Sequence, residues 1–308
     1  MADDIPFVRG FEFEYGKIAQ LSPMIRRVVA SNPNYFTCYG TNTYIVGKGE
    51  VALIDPGPDI AAHIDAILTG LEGETITHIL VTHSHLDHWP ACKSIQQVCS
   101  AKTYGGTQDA DIMKRDHDSA EAKILSNQER FEIFGFVPDV SIGHGDLIEG
   151  DGWSIECVFT PGHASNHMCF QLVEEKTLFS GDHVMGWSTS VISPPSGNME
   201  HYMNSLDLLL EREDIFYWPA HGPGIRDTKD YVRSFIAHRK SRERQILEEL
   251  AKGPNSISGM VSHLYSDVPE FLHPAAQRSM LAGVVYLIKR GVVRCDEALS
   301  AGTELFLN

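Results

Sequence analysis

Nine consecutive residues, Thr82-His-Ser-His-Leu-Asp-His-Trp-Pro90, constrain this chain more than any other stretch: three imidazoles and a carboxylate fall within six positions after an apolar run. With 15 His in 308 residues, H-x-H-x-x-H arises by chance about 0.03 times per chain of this length, before Asp87 is required as well. His83, His85, Asp87 and His88 therefore read as half of a metal site and not as scattered surface histidines. A fold that uses them must deliver this segment to a place where other ligands converge.

Those ligands recur in the same setting. Residues Thr75 to Val81 form an apolar, β-branched run that predicts a strand, and the cluster stands at its C-terminal end. Further runs end in Thr160-Pro-Gly-His163, in Ser180-Gly-Asp182 and in Ala220-His221-Gly. Strand ends are where α/β architectures collect their sites, because the loops there present polar groups while the strands stay rigid. Seven imidazoles and carboxylates exceed one tetrahedral ion, but they fit two metals about 3.5 to 4 Å apart with one carboxylate shared. A nitrogen and oxygen donor set suits Zn²⁺ first, then Mn²⁺ or Fe.

The remaining chain fills in the frame. A hairpin is expected from Thr41-Asn-Thr-Tyr-Ile-Val-Gly and Val51-Ala-Leu-Ile-Asp-Pro-Gly, then a helix from Ile60 that Asp59 can cap, and a helix over 89 to 100. The charged block from Gly105 to about Phe136 suggests a helical insertion. Met199 to Glu211 is an amphipathic helix, and a long helix over Thr228 to Lys252 leads to Gly253-Pro254. Helices over 256 to 265 and 275 to 289, followed by two short strands, suggest a winged helix-turn-helix. The expected domains are residues 1–237 and 238–308.

Charge separates these parts. The chain carries net −16; residues 238–308 hold nine Lys/Arg against eight Asp/Glu, so residues 1–237 carry net −17. Such a balance opposes sequence-independent attraction to nucleic-acid backbones or anionic membranes. The basic excess of the C-terminal part is slight. It suits channel closure, a homodimer contact or modest RNA contact better than dedicated DNA reading. Arg239, Lys240, Arg242 and Arg244 are its candidates for phosphate contact. No apolar run approaches the ~18 residues of a membrane span, the N-terminus lacks a signal-like pattern, and the six cysteines lack C-x-x-C spacing. A cytoplasmic protein with reduced thiols is expected.

The order T-H-S-H-L-D-H, T-P-G-H, S-G-D, A-H-G resembles the signature of the metallo-β-lactamase superfamily over about residues 20 to 235. The resemblance implies an α+β fold, a four-layer αββα sandwich with the metals at one edge of the two sheets. It also implies that His83, His85 and His163 hold one metal, that Asp87, His88 and His221 hold the other, and that Asp182 bridges. True β-lactamases commonly carry Cys at the bridging position, so Asp182 points to the broader hydrolase branch. Asn42-Thr-Tyr-Ile-Val-Gly, Gly162-His-Ala-Ser-Asn-His-Met, Tyr202-Met-Asn-Ser-Leu and the terminal winged helix are similar to the β-lactamase-like protein 2 group, whose characterised animal members are endoribonucleases.

A dinuclear hydrolase follows as the expected function: a metal-bridged hydroxide attacks a phosphodiester of single-stranded RNA, with Asp87 and Asp182 as the catalytic carboxylates. The alternative substrate is a thioester or small ester, as in glyoxalase II-like enzymes. A different class, a non-catalytic nucleic-acid-binding or regulatory protein, is opposed by the completeness of the ligand set. Asp55 and His167 are expected behind the ligands, orienting them. His183 and Trp89 are read as structural or cavity-lining.

Overall fold

The computed structural model describes residues 5–107, 135–266 and 269–308. The expected insertion falls largely on residues outside that range. Among the described residues two mixed sheets face each other. The first runs in the order β1 (Ala19–Gln20), β2 (Ile25–Val29), β3 (Asn42–Lys48), β4 (Glu50–Ile54), β5 (Thr75–Val81), β6 (Lys102–Gly106), β7 (Val140–Ile142). The second is ordered β12 (Phe216–Pro219), β11 (Thr177–Gly181), β10 (Met168–Leu172), β9 (Trp153–Phe159), β8 (Leu147–Gly150). Strands β4 to β7 are parallel, as are β11 and β12; the hairpin-linked strands are antiparallel.

Strand alternation dictates the layers. Tyr44, Val46, Ala52 and Ile54 of the first sheet meet Ile155, Cys157, Phe170 and Phe179 of the second in a core between the sheets. Their neighbours along β3 to β5, Ile45, Leu53 and Ile79, point the other way and bury Ile67 and Leu71 of the α1 segment (helix Ala61–Gly70) and Ile95 of α2 (Ala91–Gln96). On the outer face of the second sheet, Val158, Cys169 and Leu178 pack on α3 (Met199–Glu211) and on Tyr231, Val232 and Phe235 of α4 (Thr228–Leu250). Helix, sheet, sheet, helix is the result. Trp153, 1% exposed, fills the inter-sheet core and donates Nε1–H to Glu50 O at 3.2 Å. Trp153→Ala is expected to cost about 3–5 kcal/mol, read as a lower urea midpoint at unchanged slope.

Two local expectations need correction. Asp59 does not cap α1; Ile60 occupies the cap without a side-chain bond, and Asp59 instead accepts from Ser94 Oγ at 2.9 Å. The helix foreseen over 89 to 100 is shorter, because Ser100 and Ala101 already lead into β6 and Gln96 Nε2 turns back to Ala101 O. The six cysteines are all free thiols.

Helix α4 serves two cores. Its second half contributes Ile246 and Leu250 to a separate cluster with α5 (Ile257–Leu264), α6 (His273–Lys289) and the small antiparallel pair β13 (Val293–Arg294) and β14 (Phe306–Leu307). No described helix is long and apolar enough to cross a membrane.

Candidate metal centre

The C-terminal ends of β4, β5, β9, β11 and β12 meet at one edge of the sandwich, where the two sheets are stitched together. Asn42 Nδ2 donates to Pro219 O and Gly222 O, both at 2.9 Å, and the Tyr44 hydroxyl donates to Pro219 O at 2.7 Å. Met168 N–H donates to Thr82 O at 2.8 Å. These bonds tie the segments after β5, β9 and β12 into one rim. Two glycines are required by close approach there: a Cβ on Gly162, φ +148°, would stand 2.4 Å from Tyr202 Cα, and one on Gly181 would stand 2.5 Å from His167 Nε2.

All seven sequence-assigned ligand candidates converge. Three groups have donor atoms within 4.8 Å of one another: His83, His85 and His163; His83, His88 and Asp182; Asp87, His88 and His221. His221 Nε2 lies 3.1 Å from Asp87 Oδ2 and 3.3 Å from Asp182 Oδ1, while His163 Nε2 lies 3.5 Å from Asp182 Oδ2. Asp182 thus faces both sets.

Outer partners fix the imidazole tautomers. His88 Nδ1–H donates to Asp55 Oδ2 at 2.9 Å, His163 Nδ1–H to Val191 O at 2.6 Å and His221 Nδ1–H to Gly40 O at 3.2 Å. The Thr82 hydroxyl donates to Asp55 Oδ2 at 2.8 Å, so its oxygen is left to accept His83 Nδ1–H at 3.0 Å. Every Nε2 of these four rings therefore faces inward, free to bind a cation once any proton on it is displaced. His83 Nε2 and His163 Nε2 each approach His85 Nδ1, at 2.9 and 3.0 Å. A neutral His85 can donate Nδ1–H to one of the two at most, so at least one pair of nitrogens is left facing without a proton, an arrangement that a cation among the three relieves. Among the described residues His88 Nε2 is buried with no carboxylate oxygen closer than Asp87 Oδ1 at 3.5 Å, and His221 Nε2 and Asp182 Oδ1 face each other at 3.3 Å, so these buried polar atoms have only one another and Asp87 until a cation binds. The residues fit a pair of divalent cations.

Electrostatics agree. Burial pushes the Asp87 and Asp182 carboxyls up, but the neighbouring imidazoles, His88 foremost at Asp87 and His221 at Asp182, outweigh it and hold both below the ordinary carboxylate range. Burial and the crowd of neighbouring rings keep His83 well below its usual value and bring His85 to about 3. For His221 the carboxylates of Asp182 and Asp87 overcome burial and raise it to about 10. A cation entering the second set displaces that proton.

Asp55, at φ +48°, accepts from Thr82 N–H, the Thr82 hydroxyl and His88. His167 is buried behind Asp182: its Nε2 accepts Asp182 N–H at 3.1 Å and its Nδ1 meets Thr160 Oγ1 at 2.9 Å. His183 turns away from the ligands onto the Tyr202 ring, 4.6 Å between centroids. Trp89 donates to Ser84 O and lies tilted against Phe136, 5.6 Å between ring centroids. Missing from the sequence reading are the walls of a cavity of about 460 Å³ in front of the ligands, among them Tyr35, Phe36, Trp187 and Pro194. They lie on loops without period, where no sequence pattern marks them.

A distal histidine carries a stability signature. His63, buried against Thr43 Oγ1 at 2.9 Å, is pushed by burial to about 4. Its folded pKa is depressed below its unfolded value, so its contribution is present above pH ~6.5 and lost as pH falls towards 4. His63→Gln is expected to flatten the loss of stability over that window by about 2–3 kcal/mol, measured by denaturant titrations at stepped pH.

Residues 36–221 match the metallo-beta-lactamase superfamily. The chain belongs to that superfamily. It is similar to the beta-lactamase-like protein 2 homolog of Caenorhabditis elegans, 32% identical over 90% of this chain and 88% of that protein. It is also 30% identical to an atrochrysone carboxyl ACP thioesterase of Cryptosporiopsis, over 81% of this chain and 74% of that protein. A metallo-beta-lactamase family protein of Thermus thermophilus shares the fold, with TM-score 0.76 and 21% identity over 94% of this chain and all of that one. The superfamily chain is a metal-dependent hydrolase.

Proposed function

We propose that the chain is a dinuclear hydrolase of a thioester or related ester whose acyl part is apolar or aromatic. The cavity wall carries this reading. Beside the ligands it presents Tyr35, Phe36, Leu86, Met185, Trp187 and Val191, and among its described lining residues Arg278 is the cation. A strand of RNA needs several cations along successive phosphates, whereas an acyl group needs apolar walls and a few polar anchors. The thioesterase among the relatives supports the same order.

In this reading His83, His85 and His163 hold one ion, Asp87, His88 and His221 the other, and Asp182 is shared. Zn²⁺ suits the donors first, with Mn²⁺ or Fe as substitutes. Two such cations supply Lewis acidity and make water acidic enough to attack at neutral pH. Asp87 is the more exposed of the two carboxylates, its side chain 27% open to the cavity side. It orients the attacking water and takes its proton at Oδ. Asp55 and His167 keep His88 and the Asp182 backbone in place.

Single-stranded RNA is the second reading, favoured by an exposed aromatic platform at the cavity mouth. Tyr35, Phe36 and Phe271 are 68%, 54% and 58% exposed, and the Tyr35 and Phe271 rings lie 4.8 Å apart; bases stack on such rings. Phe271 and Arg278 come from residues 238–308, which we read as a winged-helix domain leaning over the cleft of residues 1–237. Metal-replete protein is expected to hydrolyse S-aroyl-N-acetylcysteamine thioesters and to leave a single-stranded RNA oligonucleotide intact. RNA cleavage with no thioester turnover reverses the order.

A further inference from the structure

We propose that a cationic cavity beside α6 is a second recognition site, which receives a phosphate carried by the thiol arm of the substrate. It rests on the thioester reading above. The cavity, about 570 Å³, lies between α3, α4 and α6. Arg239, Lys240, Arg242, Arg244 and Arg290 line it, against one carboxylate, Glu243. Arg290 donates to that carboxylate at 2.6 Å, so Glu243 is already matched. Five of the chain's 25 Lys/Arg thus surround one hollow in a protein of net charge −16. The local sign is opposite to that of the whole molecule, and an anionic group is what it complements.

The cations are also held in a form that suits phosphate. The Arg242 guanidinium lies 4.5 Å over the Tyr265 ring and that of Arg290 5.1 Å over Tyr286. Arg290 spends one Nη1–H on Glu243 and Arg242 one on Gln245 Oε1 at 2.8 Å; with a ring on one face, the remaining N–H groups of each guanidinium point where a phosphate oxygen can accept them. The floor is apolar and adaptable, with Met199, Met203 and Met280. An organic phosphate with some apolar body fits this lining better than inorganic phosphate.

A third hollow has walls in common with both this cavity and the one in front of the ligands. A narrower hollow of about 130 Å³, it shares Pro194 and Pro195 with the cavity in front of the ligands, and Met199 and Tyr286 with the cationic cavity; Glu200 and Lys289 lie on its wall. In this proposal the thiol arm runs along that hollow, with the acyl group at the metals and the phosphate among the arginines. Arg239 connects the ends structurally as well. It donates to Ser190 O, and the next carbonyl, Val191 O, is the one that orients His163.

Lys240 and Arg244 touch neither the ligands nor their supports, so they serve as the test pair. Benzoyl-S-coenzyme A and benzoyl-S-N-acetylcysteamine contain the same scissile bond, and only the former carries phosphate. With metal-replete protein the coenzyme A ester is expected to show a KM at least about tenfold lower, and Lys240→Gln/Arg244→Gln to raise that KM about tenfold while leaving the N-acetylcysteamine ester unchanged. Titration calorimetry with coenzyme A itself, which has no bond to cleave, should show the same tenfold loss of affinity in the double variant. Equal KM values for the two esters, or coenzyme A affinity indifferent to the double substitution, overturns the site. If neither ester is cleaved yet coenzyme A still binds through Lys240 and Arg244, the thioester reading fails and the anion cavity stands.

Discussion

Asp182→Ala is expected to lower kcat by about 10³-fold or more and to cut the metal content of the purified protein from two equivalents to one or fewer. The size follows from position. Asp182 Oδ1 faces His221 and Oδ2 faces both His88 and His163, so its loss opens both ligand sets at once. It also strips His221 of the first charge that holds it protonated in the metal-free protein. Asp182→Asn keeps the volume and the backbone bond to His167 but halves the acceptor capacity, and should lose one ion while unfolding at nearly the wild-type denaturant concentration. Elemental analysis, steady-state turnover and near-ultraviolet circular dichroism on the two variants separate loss of the centre from loss of the fold.

The second large effect is expected at a residue that touches no substrate. Asp55 takes two hydrogen bonds from Thr82 and one from His88, and Thr82 in turn orients His83. One carboxylate therefore sets a ring in each ligand set. Asp55→Asn can keep the left-handed backbone, which Asn tolerates, but it offers one oxygen where three donors converge. A weakening of metal affinity by about 10–100-fold is expected, together with about 1–3 kcal/mol of lost stability from the unmatched donors. Competition with a chelator gives the first quantity and urea unfolding the second. Unchanged affinity in Asp55→Asn would mean that the ligand rings are held by packing alone.

The convergence of the candidate ligands was legible in the chain because they obey local rules. His83, His85, Asp87 and His88 are close in sequence, and His163, Asp182 and His221 each follow an apolar strand by one to four residues, so a strand pattern suffices to place them. Strands β3 to β5 and helices α3 and α6 were legible for the same reason. What orients the rings was not. The acceptors for His163 and His221 are main-chain carbonyls of Val191 and Gly40, 28 and 181 residues away, and every residue has such a carbonyl. The aromatic cavity wall gathers from two separate loops, and Asp59 is engaged by Ser94 in a bond that no local pattern announces. The division of substrate readings turned on the same thing, since a single cation among the described lining residues of the cavity is a fact of assembly and not of composition.

The central claim is that two cations share Asp182, and metal counting tests it most directly. Elemental analysis of protein reconstituted with Zn²⁺, Mn²⁺ or Fe and freed of excess metal should return close to two equivalents per chain, falling to one or fewer in Asp182→Ala. Fewer than one equivalent of any of these metals in the wild-type protein would contradict the dinuclear centre.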